Sequence, residues 1–292
     1  MRNDFAVFIL THRRPDKQTT LKTLRRGCYS GNVFLVVDDE DPMLDEYRAK
    51  YGDAVRVFSK EKYDKRFDIA DNFKRRDAVV WARNASYDIA AEVGARYFLM
   101  LDDDYGSVFS RFGVDGTPRN VDLAKTADGR LDKAISSMLK WYIKAKQIST
   151  LCMAQGGDWI GGHPGVRSLH CRRKSMNTFF CDTERRIEFT GRLNEDTTAY
   201  CYWGHIGLLF LTAMQIHVVQ EQTQKSAGGL TDAYLDLGTY AKSFYSVMHC
   251  PSFVQIGAIK GHGGNNAGRI HHEIDYERGL PKIMRASVKR RA

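Results

Sequence analysis

The sequence lacks any uninterrupted apolar run near the ~18 residues that a membrane-spanning helix needs. Its first apolar run, Phe5–Leu10, is too short for a secretory signal and precedes basic residues. Six scattered cysteines form no CxxC pair, which favours reduced thiols over disulfides or a zinc site. Neither a Walker loop nor a GxGxxG loop opens a strand–helix unit. We therefore expect a cytoplasmic protein, in the host cytoplasm if a phage encodes it.

The composition is that of an ordinary globular protein with a surplus of positive charge. The 292 residues are 43% hydrophobic and 27% charged, enough to build a core without disulfides or a structural metal. Lysine and arginine number 44 against 35 acidic residues, a net charge of +9 spread over both halves of the chain. Basic runs lie at Lys60–Arg76, Arg167–Arg192 and Arg285–Arg291. Solvated surface explains any one run, but the three together favour a polyanionic partner.

Short apolar runs alternate with helical patterns over the first hundred residues. The predicted strands are Phe5–Leu10, Val33–Val37, Val55–Phe58 and Tyr97–Leu101, and the predicted helices are Pro15–Arg25, Met43–Tyr51 and Asp77–Val93. Gly94 is placed to end the last helix. Strands that are apolar throughout are covered on both faces, so this half predicts a parallel, doubly wound sheet.

The second half is less regular. Residues 105–130 are rich in glycine and aspartate, which predicts a loop with room for a hairpin. The later predicted elements are a helix at Leu131–Lys146, a strand at Ser149–Ala154, a helix at Leu230–Met248 and a strand at Phe253–Ile259. No linker or repeat separates the halves, so we expect a single α/β domain over residues 1–292.

Polar residues follow three of the predicted strands, where a parallel sheet binds its ligands. These residues are Thr11–Arg14, Asp38–Asp39 and Asp102–Asp104. Alternate residues of an extended chain share a side, so Asp102 and Asp104 can converge on one cation. Carboxylate oxygens suit Mg²⁺ or Mn²⁺. The alternative interpretation is an acidic turn after a strand.

The run from Trp81 to Asn84 (WARN) and the later run YFLMLDDD resemble the GT-A family of nucleotide-sugar glycosyltransferases, in which an ARN helix precedes a strand ending in a DxD metal site. The resemblance covers residues 1–105 and implies a GT-A-like, mostly parallel sheet flanked by helices. Residues 1–105 would then bind the nucleotide sugar. Residues 106–292 would form an elaborated acceptor-binding and catalytic half.

The resemblance also implies roles for individual residues. Those expected to bind a UDP-sugar donor are Thr11, Arg13, Asp38, Asp39, Arg83 and Asp103, with Asp38 or Asp39 on the base. The expected ligands of Mn²⁺ or Mg²⁺ are Asp102 and Asp104. His262, in the glycine-rich run KGHGGNN, resembles the histidine that completes the metal shell in many family members. It is preferred over His271 and His272, which we expect on a surface helix.

The run from Gly191 to Thr197 (GRLNEDT) resembles the ED motif of inverting family members. A hydroxyl is a weak nucleophile and must lose its proton as it attacks the sugar, so a general base is required. Asp196 is the first choice for that base and Glu195 the second. Alternatively, both are acidic residues stabilised at a helix start by the helix dipole.

Within this fold, the DDD end, the GRLNEDT run and the basic surface resemble phage enzymes associated with TET-like dioxygenases, which glycosylate 5-hydroxymethylpyrimidines such as 5-hydroxymethylcytosine in DNA. That resemblance implies DNA as acceptor, with Trp159 or Trp203 beside it unless these tryptophans serve packing. The candidate nucleic-acid-binding residues are Lys62, Lys65, Arg66, Arg75, Arg172, Arg173 and Lys174. The alternatives are a polysaccharide or lipopolysaccharide acceptor, a nucleotidyltransferase, and a non-catalytic nucleic-acid-binding protein.

Overall fold

The computed structural model of the chain describes residues 1–112, 117–125, 127–155, 158, 175–220, 238, 240–258 and 270–279. Its strands are β1 (Phe5–Leu10), β2 (Asn32–Asp38), β3 (Val55–Phe58), β4 (Tyr97–Asp102), β5 (Tyr105–Phe112), β6 (Pro118–Asp122), β7 (Ile148–Gln155), β8 (Phe179–Asp182), β9 (Leu209–Gln220), β10 (Val254–Ala258) and β11 (Ile270–Ile274). Its helices are α1 (Thr19–Arg26), α2 (Leu44–Tyr51), α3 (Val80–Glu92), α4 (Arg130–Lys144), α5 (Glu195–His205), α6 (Ala241–His249) and α7 (Tyr276–Gly279). None of these helices combines the length and the hydrophobicity that crossing a bilayer requires.

Strands β1 to β9 form one sheet in the order β3-β2-β1-β4-β8-β7-β9-β5-β6, and β10 pairs with β11 apart from it. The first four strands of that order run parallel to one another. Beyond them the directions are mixed: β8 runs antiparallel to β4 and β7, β7 is parallel to β9, and a β5–β6 hairpin follows β9. The α/β fold with a large sheet between helices is thus confirmed, and both halves of the chain contribute strands to that sheet.

Helices cover the sheet on both faces, as the continuous apolar strands predict. Every residue of β1 is buried. Its odd-numbered side chains lie in a core with residues of α1, α2 and α4, and its even-numbered side chains lie in a core with residues of α3 and α5. Because strand side chains alternate between faces, only a strand covered on both sides is apolar throughout.

The first four predicted strands are confirmed. The helices between them differ mainly at their starts, and their ends agree to within one residue. Helix α1 begins at Thr19 rather than at Pro15, because the side-chain amide of Gln18 donates to the hydroxyl of Thr11 and to the carbonyl of Arg14, both at 2.8 Å, and holds a turn there. After α3, Gly94 adopts a left-handed φ of 71°, the conformation that glycine favours at a helix end.

The second half holds the larger differences. Tyr105–Phe112 and Pro118–Asp122 pair as the antiparallel strands β5 and β6, the hairpin for which the predicted loop left room. Strands β8 and β9 lie where the sequence predicted no strand. Helix α6 covers the end of the predicted Leu230–Met248 helix, whereas residues 230–237 lie outside the described part of the chain. His271 and His272 are in β11 rather than on a surface helix, and His272 is buried because β11 pairs with β10.

Candidate active site

The carboxyl ends of β1, β2 and β4 meet at one edge of the sheet. Leu10, the last residue of β1, lies in register with Val36 of β2 and with Asp102 of β4. The backbone N–H of Thr11 continues the ladder by donating to the carbonyl of Val36 at 3.2 Å. The three polar segments that the sequence singled out therefore lie side by side, where open α/β sheets bind ligands.

Arg83 connects the two halves of the site. It lies in the first turn of α3, is only 1% exposed, and its guanidinium carbon lies 5.2 and 5.8 Å from the ring centres of Phe179 and Phe189. Its Nε donates to Oε1 of Glu195 at 2.7 Å, and its Nη2 donates to Oδ1 of Asp102 at 3.2 Å. A buried guanidinium is stable only when carboxylates and hydrogen bonds compensate it. The structure thus joins a residue expected at the donor, one at the metal and one at the catalytic step.

Burial and mutual repulsion perturb the titration of the carboxyl groups at this edge. Burial raises the pKa of Asp102 to about 6, against the opposing charge of Arg83. Burial and the nearby charges of Asp102 and Asp103 raise the pKa of Asp104 to about 7. Burial likewise raises the pKa of Glu195 to about 7, although Arg83 favours its charged form. Carboxyl groups crowded in this way are stabilised as anions by any further positive charge.

Asp104 has the features of a metal ligand, because one of its carboxylate oxygens is left without a partner in the described part of the chain. Its Oδ2 accepts a hydrogen bond of 3.2 Å from the side-chain amide of Gln220, at the end of β9. Its Oδ1 is buried and has no hydrogen-bond partner among the described residues. A buried carboxylate oxygen normally has a partner. This oxygen, with the nearby charge of Asp102, fits a divalent cation that prefers oxygen ligands.

Asp103 contacts a different set of residues from its two neighbours. It accepts a 2.7 Å hydrogen bond from the hydroxyl of Thr11 and a 3.2 Å bond from Nη1 of Arg14. The hydroxyl of Thr11 also lies 2.8 Å from that of Tyr47. Thr11 and Asp103, both expected at the donor, are buried and brace the end of β1 against the end of β4.

Helix α5 begins with the two acidic residues of the GRLNEDT run. Glu195 is held by Arg83, whereas Asp196 forms no ion pair with a described residue. Oδ1 of Asp196 accepts a 2.6 Å hydrogen bond from the backbone N–H of Thr197. The two candidates for the general base thus differ. Glu195 already forms an ion pair with the buried Arg83, and Asp196 does not.

A second buried cluster was not foreseen in the sequence. Nδ1 of His12 lies 2.7 Å from Oδ2 of Asp38 and 3.3 Å from Oδ2 of Asp41, and Nζ of the buried Lys60 lies 2.8 Å from Oδ1 of Asp38. His12, Asp38 and Asp41 offer ligand atoms within 4.8 Å of one another. The ammonium of Lys60 pairs with Asp38, and His12 contacts both carboxylates, so the cluster differs from the strand-end site at Asp104. For His12, the only signal in the sequence was its position directly after β1.

The cluster distinguishes Asp38 from Asp39, the two residues expected to contact the nucleotide base of the donor. Asp38 is buried in it, whereas the side chain of Asp39 is exposed and accepts a 3.1 Å hydrogen bond from the backbone N–H of Lys60. Arg13 is also exposed, with a left-handed φ of 57°, and its backbone N–H donates to Asp41 at 2.7 Å.

The basic residues expected on nucleic acid are exposed where they are described. Lys62 and Arg66 both lie beside Asp88, with nitrogen–oxygen distances of 3.8 and 3.1 Å, and Arg75 pairs with Asp77. Trp203 is half-buried and donates to the carbonyl of Glu188 at 2.6 Å. The residues that lie outside the described part of the chain are Trp159, Arg172, Arg173, Lys174 and His262.

A family model for the TET-associated glycosyltransferases matches residues 5–229. The chain belongs to that family. The matched region includes Thr11, Arg83, Asp104 and Asp196, so every described candidate for donor, metal and base lies within it. The chain is therefore a glycosyltransferase, and not a nucleotidyltransferase or a non-catalytic binding protein.

This glycosyltransferase is also similar to solved structures at low sequence identity. It is similar to glucosyl-3-phosphoglycerate synthase from Mycobacterium tuberculosis in complex with Mg²⁺ and UDP, at 10% identity and a TM-score of 0.46, over 92% of this chain and 86% of that one. The same synthase with Mn²⁺ and UDP-glucose is 9% identical, with a TM-score of 0.47 over 92% and 86% of the two chains. No curated protein matches the chain.

Proposed function

We propose that this glycosyltransferase moves a sugar from a UDP-sugar to the hydroxymethyl group of 5-hydroxymethylcytosine in DNA. The observation that carries the proposal is the buried Arg83, which holds Glu195 of the second half against Asp102 at the end of β4. A DNA acceptor accords with the family and with the basic surface. It would place the reaction in the cytoplasm, that of the host if a phage encodes the chain.

Asp102 and Asp104 are the proposed ligands of Mn²⁺ or Mg²⁺, with His262 as a third. The unpartnered Oδ1 of Asp104 supports this assignment. When bound, the cation neutralises charge on the departing diphosphate. Arg13, Asp39 and Arg83 are proposed to contact the donor, while Thr11, Asp38 and Asp103 shape the wall of its pocket through the bonds described above.

Asp196 is the proposed general base. It is next to Glu195 in the first turn of α5, and Arg83 fixes that turn against the end of β4. A carboxylate at this point takes the proton of the acceptor hydroxyl as the oxygen attacks the sugar. Glu195 is proposed to orient the turn through Arg83, because its own charge is already compensated.

The test is direct glycosylation. The protein is incubated with Mn²⁺, a panel of UDP-, GDP- and CMP-sugars and duplex DNA containing 5-hydroxymethylcytosine, and the recovered nucleosides are analysed by mass. We expect a hexose or N-acetylhexosamine on the modified base with a UDP-sugar, formed far more slowly by the Asp196→Asn variant. Transfer to a polysaccharide or lipopolysaccharide, but never to DNA, would refute the acceptor while leaving the glycosyltransferase activity in place.

A further inference from the structure

The segment from Asp68 to Asp77 leads directly into α3 and lies at the ligand edge of the sheet. The first turn of α3 brings Arg83 to Asp102, so the residues just before that helix lie at the same edge. The segment also pairs with the GRLNEDT run, since the backbone N–H groups of Gly191 and Arg192 donate to the carbonyls of Asp68 and Ile69 at 2.8 and 3.0 Å.

Arg192 fixes the conformation of this segment. Its guanidinium is almost fully buried, and Nε and Nη2 donate to the two carboxylate oxygens of Asp71 at 2.8 and 3.0 Å. The same group donates to the carbonyls of Phe73, at 2.9 Å, and of Arg75. The hydroxyl of Tyr245, in α6, adds a 2.6 Å bond to Asp71. Bidentate bonds between buried charges are strong and directional, so the loop is shaped before any ligand arrives.

The clamped loop presents an aromatic ring followed by two basic side chains. Residues 72–75 are all exposed, and Phe73 has 47% of its surface in water. Lys74 and Arg75 follow it directly. Water contact makes an exposed phenylalanine unfavourable, and here the backbone is held so that the ring stays outside the core. An apolar or aromatic side chain beside cations is the arrangement that stacks on bases and contacts phosphates.

We propose that Phe73 is a DNA wedge: its ring stacks in the base column beside the hydroxymethylated nucleotide, while Lys74 and Arg75 contact the adjacent phosphates. The inference rests on the proposed DNA acceptor. An enzyme that acts on a base in a duplex must unstack the nucleotide, and an inserted side chain stabilises the gap. Arg192 belongs to the GRLNEDT run that also carries Asp196, so the loop and the proposed base are attached to the same run.

The experiment compares two acceptors that differ in the cost of unstacking. One is a duplex with 5-hydroxymethylcytosine fully paired, and the other carries the same nucleotide in a single-base bulge. For Phe73→Ala we expect transfer to the duplex to fall roughly 5- to 150-fold, as losing one base–aromatic stack implies, with a much smaller loss on the bulge. A Phe73→Trp variant, which keeps an aromatic ring at this position, should retain transfer to the duplex. The matched control is Phe244→Ala, which removes a phenylalanine that is 42% exposed on α6.

Binding measurements provide an independent readout. A 2-aminopurine beside the target should brighten when wild-type protein binds and stay quenched with Phe73→Ala. The Lys74→Gln and Arg75→Gln double variant should lower the slope of log affinity against log salt by about 1.8, or about 0.9 for each lost phosphate contact. The slope for the control should match the wild type.

The outcomes distinguish a failure of the wedge from a failure of the proposed DNA acceptor. Equal losses on duplex and bulge, or no loss on either, would overturn the wedge, as would a Phe244→Ala variant that behaves like Phe73→Ala. A wild-type protein that glycosylates neither DNA but modifies a glycan would refute the proposed acceptor instead. Brightening of 2-aminopurine that persists in Phe73→Ala would assign the unstacking to another residue.

Discussion

The most direct test of the site is to replace Arg83 by methionine and measure stability in metal-free protein. The guanidinium is 1% exposed and forms ion pairs with Glu195 and Asp102. Removing one partner of a buried ion pair costs about 3–5 kcal/mol, because the remaining charge is left uncompensated. The Asp102 side chain keeps 21% of its surface exposed, so water screens part of this effect and we expect a loss near the lower end, about 3 kcal/mol, at pH 8.

The loss of stability in Arg83→Met should be larger at pH 8 than at pH 5.5. The folded-state pKa values of about 6 for Asp102 and about 7 for Glu195 lie above the ordinary values of such groups. Arg83 favours the charged forms, so its removal raises both pKa values further. At pH 8 the two carboxylates are charged and need Arg83. At pH 5.5 they are protonated in the variant, and the loss should shrink to about 1 kcal/mol.

The assay is urea unfolding at pH 5.5 and pH 8, followed by circular dichroism. The matched control is Arg185→Met, which removes another buried arginine that pairs with a carboxylate. Its partner, Asp182, lies beside Tyr97, at the opposite end of β4 from Asp102. That variant should also be less stable, but its Mn²⁺ affinity should equal that of the wild type. A loss for Arg83→Met below about 1 kcal/mol at pH 8, or a loss of the same size at both pH values, would refute the reasoning.

Four further outcomes test the site. Asp104→Asn should weaken Mn²⁺ binding, measured by electron paramagnetic resonance, by more than about 100-fold, beyond the effect of an outer-shell change; full activity in EDTA would contradict the metal assignment. Asp196→Asn should bind the UDP-sugar as wild type does while transfer falls about 10²- to 10⁴-fold, the usual contribution of a general base; normal transfer would move that role to Glu195. Metal-free wild-type protein should lose stability between pH 5 and 8 in urea, because the raised pKa values of Asp102, Asp104 and Glu195 favour the folded state only while these groups are protonated. At pH 8, Mn²⁺ at a hundred times its Kd should add about 2.7 kcal/mol, and no change on adding Mn²⁺ would refute the site.

The parallel half of the sheet was predictable because its signals are local. β1 and β4 are continuous apolar runs bounded by polar residues, and both are buried as predicted. β8 has only four residues, Phe179–Asp182, and its place between β4 and β7 depends on partners distant in sequence. β9 mixes apolar and polar residues and changes register against β7. The apolar runs in these two strands are short and interrupted by polar residues, and neither strand was predicted.

The sequence named individual candidates for the site, but not the contacts between them. Strand-end position and family resemblance named Arg83, Asp102 and Glu195, yet nothing in the sequence pairs Arg83 with a residue 112 positions away. Basic runs were even less informative, since Lys60 belongs to a run that favours a polyanion but lies buried against Asp38. Charge counts describe composition, whereas the ion pairs depend on how distant segments pack.

The connection through Arg83 also bears on the simplest alternative for the GRLNEDT run, that its acidic residues only stabilise a helix start. Carboxylates in that role stay near the surface and contribute about 0.3–1 kcal/mol through the helix dipole. Glu195 is instead buried against a guanidinium supplied by α3, at a cost in desolvation that a dipole interaction does not offset. Such an arrangement is retained where it fixes a position, and here it fixes Asp196 beside the carboxylates at the end of β4. The dipole therefore explains why acidic residues are tolerated there, but not why one of them is held by a buried arginine.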